Sequence, residues 1–177
     1  NGKQVGYYVK HLLPTYDVFD EKRYFDPGHA PMTITLDGFR VGVLICEDAW
    51  GQAANPWVNY EQNLVKNLLE ESLDLVVCLS ASPFEIGKPL MRENVFGNLA
   101  SCLGTPVLNV NQVGAQDELI FDGHSFLMGG DGKVVYRSPG FEEEIQTIEL
   151  KEKYSLNDLP SDEECLVNAL VVGIRDY

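Results

Sequence analysis

GVLICEDAWG, residues 42–51, is the stretch on which the fold turns. Gly42 to Ile45 form a short apolar run of the kind a core strand shows, and Cys46 is followed at once by Glu47, Asp48, Ala49, Trp50 and Gly51. Polarity flips within one residue. In open α/β sheets such a flip marks the carboxyl end of a strand, where active sites lie. Working outward, Phe39 to Cys46 reads as a strand, and Asn55-Pro56 supplies an N-cap and an N1 proline for a helix with Trp57, Leu64, Val65, Leu68 and Leu69 at helical spacing. Leu73 to Leu79 is the next apolar run. A helix from Pro89 to Leu103 follows, with Met91, Val95, Leu99 and Leu103 spaced by four and Gly104 ending it, and Pro106 to Val110 returns as a strand. The order βαβαβ predicts parallel strands with helices packed on one face.

Beyond Val110 the pattern turns antiparallel. Ser125 to Met128, the turn Gly130-Asp131-Gly132 and Lys133 to Tyr136 read as a hairpin, with a last strand at Ile145 to Ile148 after the solvated acids Glu142 to Glu144. Asp37-Gly38 is a second hairpin turn. Asn1-Gly2-Lys3 is a type I′ turn signal, and the alternating Val5 to Lys10 predicts the second strand of a hairpin. Cys165 to Val172 predicts an amphipathic helix interrupted at Gly173. Both ends read as cut from something longer.

Composition excludes several classes. The 177 residues are 45% hydrophobic, enough for a substantial core, and 13 basic against 27 acidic residues give a formal charge of −14. Such a surface argues against nucleic acid and against an anionic membrane face. No apolar run reaches the roughly 18–20 residues of a membrane helix. Cys46, Cys78, Cys102 and Cys165 lie far apart with no metal-ligand spacing, so neither zinc nor a disulfide framework is signalled and a reducing, cytoplasmic setting is expected. Cys78, Cys102 and Cys165 sit inside apolar patterns and read as buried core thiols.

A thiol becomes a nucleophile at neutral pH when a nearby cation stabilises the thiolate or a base removes its proton. His11, His29 and His124 stand in no context that declares a Cys-His pair, and they take the structural reading. Lys10 is more suggestive, because a loop dense in aromatics and acids, HLLPTYDVFDEKRYF, follows it. A lysine there stabilises both a thiolate and the oxyanion that forms on attack at an amide carbonyl.

Four segments in order, KHLLPTYDVFDEKRYF, GVLICEDAW, SASPFEIGK and VNQVGAQDELIFDG, resemble motifs of the nitrilase superfamily of carbon-nitrogen hydrolases. More narrowly, they are similar to the glutamine amidase domains of the glutamine-dependent NAD synthetase family. The resemblance implies a nitrilase-like four-layer αββα sandwich with a mixed sheet whose N-terminal part lies upstream of Asn1. Residues 1–160 would be the amidase domain and residues 161–177 a connector helix towards a synthetase domain. It also implies a Glu-Lys-Cys triad in which Cys46 attacks the side-chain amide of glutamine and leaves a glutamyl thioester. Lys10, with the backbone N–H of Glu47, would stabilise the oxyanion. The base glutamate has no counterpart: nine residues precede Lys10 and none is acidic, so the chain alone is expected to be inactive. Glu21 matches an auxiliary glutamate that orients the lysine.

Tyr16, Glu47, Trp50, Ser82 and Lys88 match positions that line the glutamine pocket in similar enzymes. Glu47 would meet the ammonium group, and Ser82 with Lys88 the carboxylate. On the residues alone, Trp50 is equally a core aromatic, Ser82 turn chemistry and Lys88 a solvated charge. Gln116, Asp117 and Glu118 match a segment facing an ammonia tunnel and the synthetase partner. The domain itself would need no cofactor, with ATP and magnesium used by the synthetase domain, and the resemblance implies a homo-oligomer. A stand-alone amidase or carbamoylase, and a catalytically silent scaffold, are the alternatives.

Overall fold

The computed structural model describes residues 2–51, 64–150 and 152–177, so Asn1 and the Asn55-Pro56 cap with Trp57 lie outside the described residues. Eight strands follow in chain order: β1 (Met32–Leu36), β2 (Phe39–Ile45), β3 (Leu75–Ser80), β4 (Val107–Asn111), β5 (Val113–Gln116), β6 (Leu119–Asp122), β7 (Phe126–Met128) and β8 (Val134–Arg137). The helices are α1 (Leu64–Leu69), α2 (Lys88–Leu103) and α3 (Asp162–Asp176). Six strands form one mixed sheet in the order β1-β2-β3-β4-β7-β8, and β5-β6 form a separate ribbon. β2, β3 and β4 are mutually parallel, with Leu44 beside Cys78 and Cys78 beside Asn109. The expected βαβαβ unit is therefore present, flanked by antiparallel strands on both sides.

Period-two alternation gives the central strands two different faces. Leu44, Val76, Cys78, Val107, Phe126 and Met128 point to one side and meet Leu68 of α1 and Val95, Phe96, Leu99 and Ala100 of α2 in a single buried cluster. Phe96 and Phe126 meet edge-to-face at 5.3 Å, an arrangement worth about 1 kcal/mol beyond the area it buries. On the opposite face Leu79 and Val110 are half-exposed.

α2 begins after Gly87 with Pro89 in its first turn, and ends at Gly104, whose left-handed φ of 63° lets its N–H return to the Ala100 carbonyl. Gly97 is needed for contact: a Cβ there would stand 2.8 Å from the Gly132 carbonyl in the β7–β8 turn. α3 opens with a Ser161–Glu164 capping box and buries Cys165, Ala169 and Val172 against Phe84, Ala115, Ile120 and Phe141, so the ribbon and α3 share a second small core.

Four expectations fail. Val5 to Lys10 is not a strand; Val5 and Tyr7 are exposed, no strand among the described residues pairs with it, and the backbone of His11 and Leu12 is held by the Asp48 side chain. Residues 145–148 form no strand either, because Ile145 and Ile148 would fall on opposite faces and Ile145 is fully exposed. Gly173 does not interrupt α3, which runs on to Asp176; Gly173 lies against Ile120, where even a Cβ would come within 3.2 Å. Cys102 is exposed on α2 rather than buried. The β5–β6 ribbon is an addition, turning at Asp117 with φ of 52° within the Gln116–Glu118 segment.

Candidate active site

Cys46 stands at the first position of a 3-10 turn, Cys46–Trp50, that directly follows β2. Its φ of 44° is left-handed, an uncommon conformation for a residue with a Cβ, and it lifts the thiol out of the sheet at the carboxyl ends of β2 and β3. The thiol is half-buried and lines a cavity of about 770 Å³. Lys10, Glu21, Glu47, Ser80, Phe19, Phe25 and Phe121 line the same cavity. Its size falls in the range of sites for small ligands.

The electrostatics are opposed. Burial pushes the Cys46 thiol above its ordinary value, the Lys10 ammonium draws it down, Glu47 pushes it up, and a backbone hydrogen bond at Ala81 draws it down again. Lys10 is thus the principal cation favouring a thiolate. Its ammonium donates to both Glu21 oxygens at 2.7 Å, and its carbonyl accepts from the Gly28 N–H at 2.8 Å. Gly28 has to be glycine for that approach, since a Cβ would stand 2.2 Å from the Val9 carbonyl oxygen.

Glu47 lines the cavity although only 4% exposed, and the Tyr16 hydroxyl donates to it at 2.9 Å. Tyr16 therefore reaches the site through Glu47. Trp50, Ser82 and Lys88 are not among the lining residues. Trp50 belongs to the core beneath α2, with the Lys88 ammonium 5.2 Å from its ring centroid, and Lys88 also pairs with Glu85 at 3.2 Å. Ser82 is buried; its N–H donates to Asn111 at 2.9 Å, and its carbonyl accepts from Arg92 at 3.4 Å. Arg92 in turn forms a fully buried ion pair with Asp122. Among the described residues no group of three or more His, Cys, Asp or Glu converges as a metal site requires.

Sequence reading passed over Asp48, which is 1% exposed and accepts hydrogen bonds from Tyr8, His11, Leu12 and Ile45. The available signal was an acid in the first turn after a strand, where a carboxylate can cap the N–H of the residue before the turn. Arg92, Asn111 and Asp122, the network behind Ser82, were also passed over; a polar residue inside an apolar helix or strand pattern was their only mark.

The carbon-nitrogen hydrolase family model matches residues 1–155. The chain belongs to the carbon-nitrogen hydrolase family. Among its relatives, the glutamine-dependent NAD(+) synthetase of Acinetobacter baylyi is 40% identical over 183 residues, covering 100% of this chain and 32% of that protein. The corresponding protein of Synechocystis sp. is 41% identical over 181 residues, covering 97% of this chain and 32% of its own length. The chain thus spans about a third of the curated relatives it matches. A solved glutamine-dependent NAD+ synthetase from Acinetobacter baumannii, in complex with ADP, superposes with a TM-score of 0.82 at 36% identity, over 99% of this chain and 33% of that one. An amidase of Nesterenkonia AN1 from the nitrilase superfamily shares the fold, with a TM-score of 0.60 at 23% identity, over 76% of this chain and 46% of that one. No helix among the described residues is long and apolar enough to cross a membrane.

Proposed function

We propose that this carbon-nitrogen hydrolase chain is the glutamine-hydrolysing part of a glutamine-dependent NAD synthetase. The observation that carries the reading is the convergence of Cys46, Lys10 and Glu47 on one cavity at the carboxyl ends of two parallel strands. In this reading the Cys46 thiolate attacks the side-chain amide carbon of glutamine, and the Lys10 ammonium and the Glu47 N–H stabilise the oxyanion. Ammonia leaves, and water releases glutamate from the thioester. The Glu47 carboxylate, held by Tyr16, takes the substrate's α-ammonium group. Glu21 has both oxygens on the Lys10 ammonium, which suits it to orient the lysine rather than to accept the thiol proton. The thiol proton then goes to a carboxylate other than Glu21 and from there to the leaving nitrogen. The ammonia passes to an ATP- and magnesium-dependent partner that amidates deamido-NAD, and residues 161–177 lead towards it.

The test is ammonia and glutamate release from L-glutamine by the protein in its native length, beside asparagine, short aliphatic amides and N-carbamoyl amino acids. Glutamine is expected to be the preferred substrate by at least about 100-fold in kcat/KM, since a site that pairs a buried Glu47 with an ammonium rejects amides lacking one. Turnover of short amides at the rate of glutamine would replace this reading with a stand-alone amidase.

A further inference from the structure

We propose that Asp48 is a positioning residue that locks the Lys10 segment to the turn bearing Cys46; the proposal rests on reading those two as cation and nucleophile. Its two carboxylate oxygens take four donors. Oδ1 accepts from the backbone N–H of His11 at 3.0 Å and of Leu12 at 2.8 Å, the two residues that follow Lys10. Oδ2 accepts from the Ile45 N–H at 3.1 Å, next to Cys46, and from the Tyr8 hydroxyl at 2.8 Å, two residues before Lys10. One side chain therefore grips the lysine segment on both sides and the nucleophile turn at its root.

A cap that only closed the turn would need the Ile45 N–H alone. Among the described residues no ion pair includes Asp48, and this buried carboxylate is compensated there by those four donors. Removing any of them is therefore felt. The Tyr8 hydroxyl remains a donor at every working pH, because burial and the Asp48 charge hold it far above the ordinary tyrosine range. It also lies 2.9 Å from His11 Nδ1; since its proton goes to Asp48, that nitrogen is the donor between the two. The left-handed φ at Cys46 needs such a clamp, because strained conformations persist only where the surroundings fix them. Gly28 completes the grip by donating to the Lys10 carbonyl.

The readout is the pH profile of iodoacetamide alkylation at Cys46, mapped by peptide mass, in the parent, Asp48→Asn, Lys10→Met and the double variant. Loss of lysine placement raises the thiol's titration midpoint, whereas loss of a nearby negative charge alone lowers it. Asp48→Asn is expected to move the midpoint up and to slow alkylation at pH 7 by about tenfold, the change in thiolate fraction for one unit. In the Lys10→Met background the same substitution should add less than roughly twofold, because both act through one contact. With these substitutions carried in the native-length protein used for the glutamine assay, kcat should fall at least about tenfold for Asp48→Asn while KM stays within about threefold, the split expected when an interaction made in the transition state is lost. A midpoint that stays or moves down, or effects that multiply in the double variant, would overturn the proposal. Should Asp48→Asn fail to fold, Tyr8→Phe decides: alkylation slowed about two- to threefold supports the clamp, and an unchanged rate refutes it. Alkylation needs no substrate, so a protein that shows the coupling yet ignores glutamine would sink the amidase reading and leave the clamp standing.

Discussion

Replacing Arg92 by Met should be among the most destabilising single changes on α2. The Arg92 and Asp122 side chains are 1% and 0% exposed, and the substitution keeps most of the arginine's volume while stranding a buried carboxylate. Among the described residues, the side-chain hydrogen bond left to Asp122 is that from the Asn111 N–H at 3.4 Å, a long contact. Breaking one partner of such a pair costs about 3–5 kcal/mol. At the 2–4 °C per kcal/mol typical of this chain length, the melting midpoint should fall by roughly 6–20 °C. Asp122→Asn alone strands the arginine and should cost a similar amount. The double variant Arg92→Met/Asp122→Asn leaves neither member of this pair as an unpaired charge, so its loss should be smaller than the sum of the two by at least about 2 kcal/mol. Urea unfolding of the four proteins measures this. An Arg92→Met loss below about 1 kcal/mol, or additive losses, would show that the pair carries none of the weight assigned to it.

Gly28→Ala should push the Val9 and Lys10 backbone outward, costing about 1–3 kcal/mol of stability and slowing Cys46 alkylation, because its Cβ would stand 2.2 Å from the Val9 carbonyl oxygen; melting and alkylation measured together would expose a tolerated substitution. Iodoacetamide on the native protein should modify exposed Cys102 and half-buried Cys46, and reach Cys78 and Cys165 only after unfolding; early labelling of Cys78, whose thiol burial holds far above the ordinary range, would contradict the core arrangement. Burial lowers both His11 and His124 below the ordinary histidine range. The unfolded chain then binds the protons first, so the stability these two groups contribute is fully present above about pH 6.5 and is lost as pH falls below it; unfolding free energies at pH 7.5 and 5.5 should differ, and by less in His124→Phe.

Periodicity made the centre of the fold legible. Apolar runs ending in a sudden polar residue mark β2 and β3, and Gly104 marks the end of α2, since each signal is local. The failures are non-local. Val5 to Lys10 alternates like a strand, yet strand formation needs a neighbour, and the backbone of residues 11 and 12 is taken by Asp48 instead. The β5–β6 turn has no glycine at its tip and relies on Asp117 adopting a left-handed φ, so it carried no hairpin signal. At the site, Cys46, Lys10, Glu21 and Glu47 could be named because chemistry and motif coincide there. Asp48 could not, because its role depends on donors 36 to 40 residues away. Trp50 kept two readings in sequence; the fold places its ring in the core beneath α2, with Lys88 stacked over it.

On the proposed function, Cys46 is the nucleophile of a formed glutamine pocket. Intact mass and peptide mapping after incubation with 6-diazo-5-oxo-norleucine, a glutamine mimic that alkylates amidase nucleophiles, decide whether it is. One adduct is predicted, on Cys46, slowed by competing glutamine and absent from Cys46→Ala. An adduct that persists in Cys46→Ala, or one on Cys46 that glutamine does not slow, would contradict it.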